Sequence, residues 1–300
     1  MKILNFGSCN IDYVYSLDHI VRKGETQTTY NFEIFPGGKG LNQSIAIAKA
    51  GANVYHAGCV GVDGNILTDI MKKNGVDISY VEKTYEKNGH AIIQVSKSGE
   101  NSIFLYPGSN MMVSEDYIDR VLQNFGKDDI ILLQNEISNV DYIIKKAYEK
   151  QMCIILNPSP FNDVIKKIDF NMLSYIILNE VEAKDISGID EPEKFLAYFM
   201  SKYPNLKVML TLGSKGCIYK DNTAEIYHPC FKVNAIDTTA AGDTFTGYFI
   251  AELSKGNNYK SILEIASAAS AIAVSKKGAA PSIPFKEDVT NMLSELKGEL

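Results

Sequence analysis

The sequence predicts an α/β protein: a three-layer α/β/α sandwich with a mostly parallel central sheet plus a small antiparallel β lid. Three observations carry that prediction. Short apolar runs alternate with amphipathic, helix-length stretches along the chain, the pattern of repeated βα units. The runs Ile130 to Leu133 and Ile154 to Leu156 are apolar at every position, as strands covered by helices on both faces must be. Two segments, residues 12–35 and 88–107 approximately, break the alternation. In the second, NGHAIIQV and NSIFLYP flank the turn SKSGE, so it reads as a hairpin with Gly99 in its turn. Paired with the first segment, it makes a sheet too small to stand alone and suited to act as a lid.

Composition narrows the function. With 300 residues, 45% hydrophobic and 22% charged, the chain is expected to fold as one domain over residues 1–300. A net charge of −6, a pI near 5.4 and the lack of a Lys/Arg cluster argue against a nucleic-acid partner. The opening MKILNFGSCNID falls far short of a signal or spanning segment, so no membrane partner and a cytoplasmic location are expected. Five scattered cysteines without a C-x-x-C pair and four histidines without ligand spacing point to neither disulfides nor zinc.

Taken in order, the first run is KILNF, followed by Asn10 and Asp12. Residues 36–43, P-G-G-K-G-L-N-Q, then open a helix whose Leu41, Ile45 and Ala48 share one apolar face. Gly37, Gly38 and Gly40 allow a ligand to approach main-chain N–H groups closely, and Asn42 adds a donor and an acceptor suited to sugar hydroxyls. The segment is neither a Walker loop nor a dinucleotide fingerprint. VYHAGCV is the next strand. Beyond the lid hairpin, ILLQNE ends at Glu136, IILNP at Asn157, IILNE at Asn179 and VMLTLG at Thr211. In an open parallel sheet ligands sit outside the carboxyl ends of the strands, so these residues, with Asn10 and Asp12, are expected to line one crevice.

The most informative stretch is Asp237 to Phe245, D-T-T-A-A-G-D-T-F, which sets two carboxylates around a small-residue turn. The turn opens into a helix carrying Phe245, Phe249 and Leu253 on one face, with Lys255 and Gly256 as stop signals. The N–H groups of Ala240, Ala241 and Gly242 are expected to point unpaired from its first turn, where the helix dipole favours a phosphate. Asp243 lies where it can take a proton from an attacking hydroxyl. The plainer alternative is that Gly242 and Asp243 merely cap a buried helix.

Together these motifs resemble the ribokinase family of carbohydrate kinases, in which G-G-K-G-x-N pairs with D-T-x-A-A-G-D-x-F late in the chain. Asn179-Glu180-x-Glu182, Thr211-Leu-Gly213-Ser-Lys-Gly216 and Lys277-Gly278-Ala-Ala-Pro281-Ser282 fall in family order between and after them. The resemblance covers nearly the whole length. It implies that Asn10, Asp12, Gly38, Lys39, Asn42 and Glu136 hold the sugar, with Ala91 and Ile93 touching it from the lid. It implies Asn179 and Glu182 near the ATP phosphates and Mg2+, and Thr211, Gly213, Ser214 and Gly216 beside the nucleotide, with Ser267 at the adenine. Asp243 matches the catalytic base, and Ala240, Ala241 and Gly242 the anion hole. A K+ site is implied at Asp237, Ser282 and the carbonyls of Thr239, Ala273, Lys276 and Gly278. Two lids are implied to pack together in a homodimer.

Ribose is the first substrate choice, since Lys39, Asn42 and Gln43 match the G-G-K-G-x-N-Q form, although Leu41 stands where Ala is usual. A nucleoside kinase is the nearest alternative and calls for an aromatic lid residue, for which Tyr30, Phe104 or Tyr106 are candidates. Fructose or ketodeoxygluconate kinases are further alternatives; an anionic substrate calls for an Arg, and only Arg22 and Arg120 exist. Outside this class stand a sugar sensor without catalysis, against which the intact Asp243 turn argues, and a Rossmann oxidoreductase, which lacks its fingerprint.

Overall fold

Thirteen strands and ten α-helices form among residues 1–298, which this computed structural model describes. The strands are β1 (Ile3–Phe6), β2 (Asn10–Leu17), β3 (Asn31–Gly37), β4 (Val54–Val60), β5 (Asp77–Lys83), β6 (Gly89–Ser96) and β7 (Asn101–Tyr106). They continue with β8 (Ile130–Gln134), β9 (Cys153–Asn157), β10 (Tyr175–Asn179), β11 (Lys207–Thr211), β12 (Cys217–Lys220) and β13 (Glu225–His228). The helices are α1 (Lys39–Lys49), α2 (Asn65–Lys73), α3 (Glu115–Leu122), α4 (Val140–Glu149) and α5 (Asp163–Lys167). They end with α6 (Glu180–Ser187), α7 (Phe195–Lys202), α8 (Ala241–Ser254), α9 (Tyr259–Val274) and α10 (Lys286–Lys297).

The strands that are apolar throughout are so because both of their faces are covered. Ile130 and Leu132 pack into one core with Leu41 and Ile45 of α1, Phe245 and Phe249 of α8 and Ile262 of α9. Their neighbours Ile131 and Leu133 point the other way, into a second core with Tyr117 of α3, Ile143 of α4 and Phe199 of α7. Side chains alternate across a strand, so the period of two sorts one run of sequence into two layers.

The large sheet has the order β13-β12-β11-β10-β9-β8-β1-β4-β5. It is parallel from β11 to β5, with β12 and β13 added antiparallel at one edge. From β1 the chain moves outward to β4 and β5, and from β8 it moves outward the opposite way. Winding therefore reverses at the seam between β1 and β8, and the carboxyl edge of that seam is where such a sheet leaves a crevice.

The lid is a second sheet of order β3-β2-β6-β7. Gly99 turns its hairpin in the left-handed region, φ 84. One expectation needs correction: the two outer pairs are antiparallel, but β2 and β6 at the centre run parallel. Each of the two follows a strand of the parallel sheet, β1 or β5, off the same carboxyl edge, so they set out in one direction. Only the hairpin partners fold back.

Register sorts the lid residues by face. Asp12 lies beside Ala91 and Val14 beside Ile93, so Asn10, Asp12, Ala91 and Ile93 share the inner face. Tyr13, His90, Ile92, Phe104 and Tyr106 fall on the outer face, where Tyr13 stacks on Phe32 and His90 leans on Tyr106. Phe104 and Tyr106 are thus turned away from the face that carries Asp12 and Ala91. Tyr30 precedes β3 at the far end of the lid, with Lys97 over its ring.

Candidate active site

The glycine segment seats α1 against the loop after β1. Gly38 adopts φ 92, and a Cβ there would lie 2.9 Å from the Asn10 nitrogen; a Cβ on Gly40 would lie 2.4 Å from that of Ser8. Only glycine lets these two stretches touch. The contact delivers Lys39 and Asn42 to the crevice, where the Lys39 N–H donates to Glu136 Oε2 at 3.0 Å. The Ser8 hydroxyl donates to the same carboxylate oxygen. Asn10 Oδ1 accepts from Asn110 Nδ2 at 2.7 Å, which fixes its amide.

Asp243 sits in the first turn of α8, yet it does not cap the helix. The residue before the helix is Ala240, held left-handed at φ 60, and no side chain caps there. The Asp243 carboxylate instead accepts from Asn42 Nδ2 at 3.0 Å and from Gln43 Nε2 at 2.9 Å. Asn42 Oδ1 is buried without a hydrogen-bond partner among the described residues. A buried acceptor left open is costly unless a ligand donor fills it.

Three N–H groups at this helix start, on Ala240, Gly242 and Asp243, have no partner among the described residues. The expectation for Ala241 needs correction, because its N–H donates to the Thr238 carbonyl at 3.2 Å. The left-handed Ala240 tightens the turn and directs that one amide inward. The open amides face a cavity of about 240 Å³ lined by Lys39, Asn179, Glu182, Thr211, Gly242 and Asp243 among others. The hollow therefore ends at Asp243, with donors for an anion on its wall.

Charge is concentrated here. Burial, reinforced by Glu136, pushes the Asp12 carboxyl up to about 7. Burial also raises Glu136, against the pull of Lys39, the Ser8 hydroxyl and the Lys39 N–H. Burial alone would lower the Lys39 ammonium, but Asp243, Glu136 and Glu182 together outweigh it and hold it above its usual value. One lysine thus answers three carboxylates, those of Asp243, Glu136 and Glu182.

The wall around Asn179 is built differently. Asn179 and Glu182 form a reciprocal capping box on α6: Asn179 Oδ1 accepts the Glu182 N–H at 2.9 Å, and Glu182 Oε2 accepts the Asn179 N–H at 3.0 Å. Thr211 ends β11 and lines the cavity, while Gly213, Ser214 and Gly216 form the adjoining turn without lining it. Ser267 is buried against Cys217 Sγ, 3.6 Å away. Asp237 Oδ1 accepts the Thr239 N–H and Oδ2 the Gly278 N–H, each at 2.9 Å, joining the turn before α8 to the loop after α9. Ser282 Oγ donates to the Ala279 carbonyl, and the Ala273 carbonyl takes the Lys276 N–H. Among the described residues, no group of three or more His, Cys, Asp or Glu side chains converges on one point.

Sequence reasoning missed the support beneath Asp243. Gln134 Nε2 donates to Gln43 Oε1 at 2.7 Å and to Asn5 Oδ1 at 2.9 Å, and Gln43 Nε2 also reaches Asn157 Oδ1 at 3.0 Å. Asn5, Gln43 and Gln134 are fully buried. The signal was present: Asn5 and Gln134 are the polar residues inside the runs KILNF and IILLQ.

Moving a phosphoryl group onto a sugar alcohol requires such a floor, with anion donors on one wall and hydroxyl partners on the other, and a phosphotransferase acting on a sugar hydroxyl is the class that fold and site define. The chain belongs to the pfkB family of carbohydrate kinases, which matches residues 1–286. It is 34% identical to the ribokinase of Haemophilus influenzae over 296 residues, 96% of either chain. A solved ribokinase of Thermotoga maritima superposes with a TM-score of 0.87 at 33% identity, covering 98% of this chain and 99% of that one. The ribokinase of Arabidopsis thaliana, solved with ribose and ATP, gives a TM-score of 0.85 at 28% identity over 97% of this chain and 98% of that one.

Proposed function

We propose that the protein transfers the γ-phosphoryl group of ATP to the primary hydroxyl of D-ribose, giving ribose 5-phosphate. The observation that carries this reading is the position of Asp243, between the hydroxyl-binding amide of Asn42 and the cavity with open main-chain donors. Asn10, Asp12, Gly38, Lys39, Asn42 and Glu136 bind the sugar, with Ala91 and Ile93 above it. Asp243 orients the hydroxyl and accepts its proton. Open amides at Ala240, Gly242 and Asp243 receive charge on the transferred group, so rate comes from positioning and electrostatics. Thr211, Gly213, Ser214, Gly216 and Ser267 take the nucleotide.

Two ions fit the residues present. The Glu182 carboxylate on the cavity wall, beside Asn179, suits Mg2+ carried with ATP, which neutralises phosphate charge when bound. At Asp237 burial opposes ionisation, but hydrogen bonds from Thr239 and Gly278 hold the carboxyl below its ordinary value. An ionised carboxylate in a loop rich in carbonyls, completed by Thr239, Ala273, Lys276, Gly278 and Ser282, suits K+. Bound there, it would stiffen the turn by which Asp237 and Thr239 aim the α8 amides.

The outer face of the lid exposes the apolar side chains of Phe32, Ile34, Phe104 and Tyr106 together, and we assign it to a second copy of the chain. Light scattering that finds only monomer removes that assignment. Turnover with ribose, deoxyribose, adenosine, inosine, fructose and ketodeoxygluconate, each with ATP and with or without K+, tests the substrate reading. Ribose and K+ together are expected to give the highest kcat/KM; a nucleoside preferred over ribose overturns the assignment.

A further inference from the structure

We infer that Gln134 and Gln43 are positioning residues that hold Asp243 in its working orientation through a one-way chain of carboxamides. This rests on reading Asp243 as the base. Two backbone carbonyls fix the direction of the chain. Asn5 Nδ2 donates to the Gly40 carbonyl at 2.7 Å and to Ser44 Oγ at 2.8 Å, and a carbonyl can only accept. The Asn5 oxygen is therefore turned to Gln134, whose NH2 group serves both Asn5 Oδ1 and Gln43 Oε1. With its oxygen committed, Gln43 presents its NH2 group to Asp243.

A second anchor reaches the same result from another side. Asn157 Nδ2 donates to the Ile177 carbonyl at 2.9 Å, so its oxygen faces Gln43 and again demands the NH2 group. The hydrogens on the Asn5, Gln134 and Gln43 amides are all engaged, and none of the three amides can flip without breaking bonds. Even the space is reserved: a Cβ on Gly7 would lie 2.3 Å from Gln134 Oε1. Gly40 belongs to the segment that carries Lys39 and Asn42, so the loop that grips the sugar and the group that takes its proton share one hydrogen-bonded frame.

Gln134 touches neither Asp243 nor the cavity, which makes it the informative position. Q134M is expected to lower kcat about tenfold while leaving KM for ribose and for ATP within about twofold, because the lost property is orientation rather than ground-state binding. The decisive measurement is a double-mutant cycle with D243N. If Gln134 acts through Asp243, Q134M changes the residual rate of D243N by less than about twofold. An equal factor in both backgrounds, or an unchanged kcat in the parent, overturns the inference. If D243N itself keeps near-parental turnover, the reading of the base fails instead. Q134E keeps the shape of the side chain and passes through the same cycle should Q134M fail to fold, with thermal unfolding recorded for each variant.

Discussion

The two sides of the crevice, one proposed for the sugar and one for the nucleotide, are made on different plans. On the sugar side, Asn10, Asn42 and Glu136 come from three separate elements and are engaged by Asn110, Asp243, Ser8 and Lys39. On the nucleotide side, Asn179 and Glu182 bond each other and Gly213, Ser214 and Gly216 form a turn closed by its own main-chain hydrogen bonds. Discrimination between small polar molecules needs buried groups that are left unpaired by the wrong ligand. A cofactor held by its phosphates needs main-chain donors and a positive field, which a helix start supplies with few side chains.

Substitutions can break this contrast or sharpen it. The largest effect is expected at the boundary between the two sides, where D243N should lower kcat by about 10² to 10⁴ with little change in the KM for ATP, measured by steady-state kinetics. On the sugar side, Glu136→Ala removes a half-buried hydrogen-bonding carboxylate and should raise the KM for ribose by about 10- to 100-fold, leaving ATP affinity within about twofold. Equal rises in both constants would erase the distinction between the sides.

Acidity gives a third probe. On the proposed reading the sugar hydroxyl is bound by ionised Asp12, whose carboxyl is pushed up to about 7 by burial and Glu136. The kcat/KM for ribose should fall about tenfold from pH 8 to pH 6, the free-enzyme quantity that reports such a group, and D12N should abolish that limb. Stability runs the other way. Since the folded value is raised from 3.8 to about 7, the folded state holds the extra proton within that window, and stability from this group is lost as the pH rises through it. Thermal unfolding without sugar between about pH 5 and 8 checks the sign. The smallest effect belongs to the nucleotide side: S267A loses only a long contact to Cys217 and should change the KM for ATP by less than about threefold.

Much of this arrangement was legible from residue order. The apolar runs became the strands of the large sheet because each position in them meets a core, and Leu41, Ile45, Phe245 and Phe249 share that core as their spacing required. Glu136, Asn179 and Thr211 reached one edge because parallel strands end together. Other features depend on partners far away in the chain. Gln134 meets Gln43 across 91 residues, and nothing near either one announces the pairing. The direction of the central lid pair depends on which edge both strands leave, and the sidedness of Phe104 and Tyr106 depends on register. The Ala241 amide went astray for a local reason, a left-handed residue that is not glycine.

The lid has one further consequence. The same strands that carry Asp12 and Ala91 on one face carry the aromatic rings on the opposite face. If those rings are covered by a second molecule, closure over substrate and self-association draw on the same piece of chain. Specific activity then becomes a function of enzyme concentration, declining on dilution as the paired sheets separate.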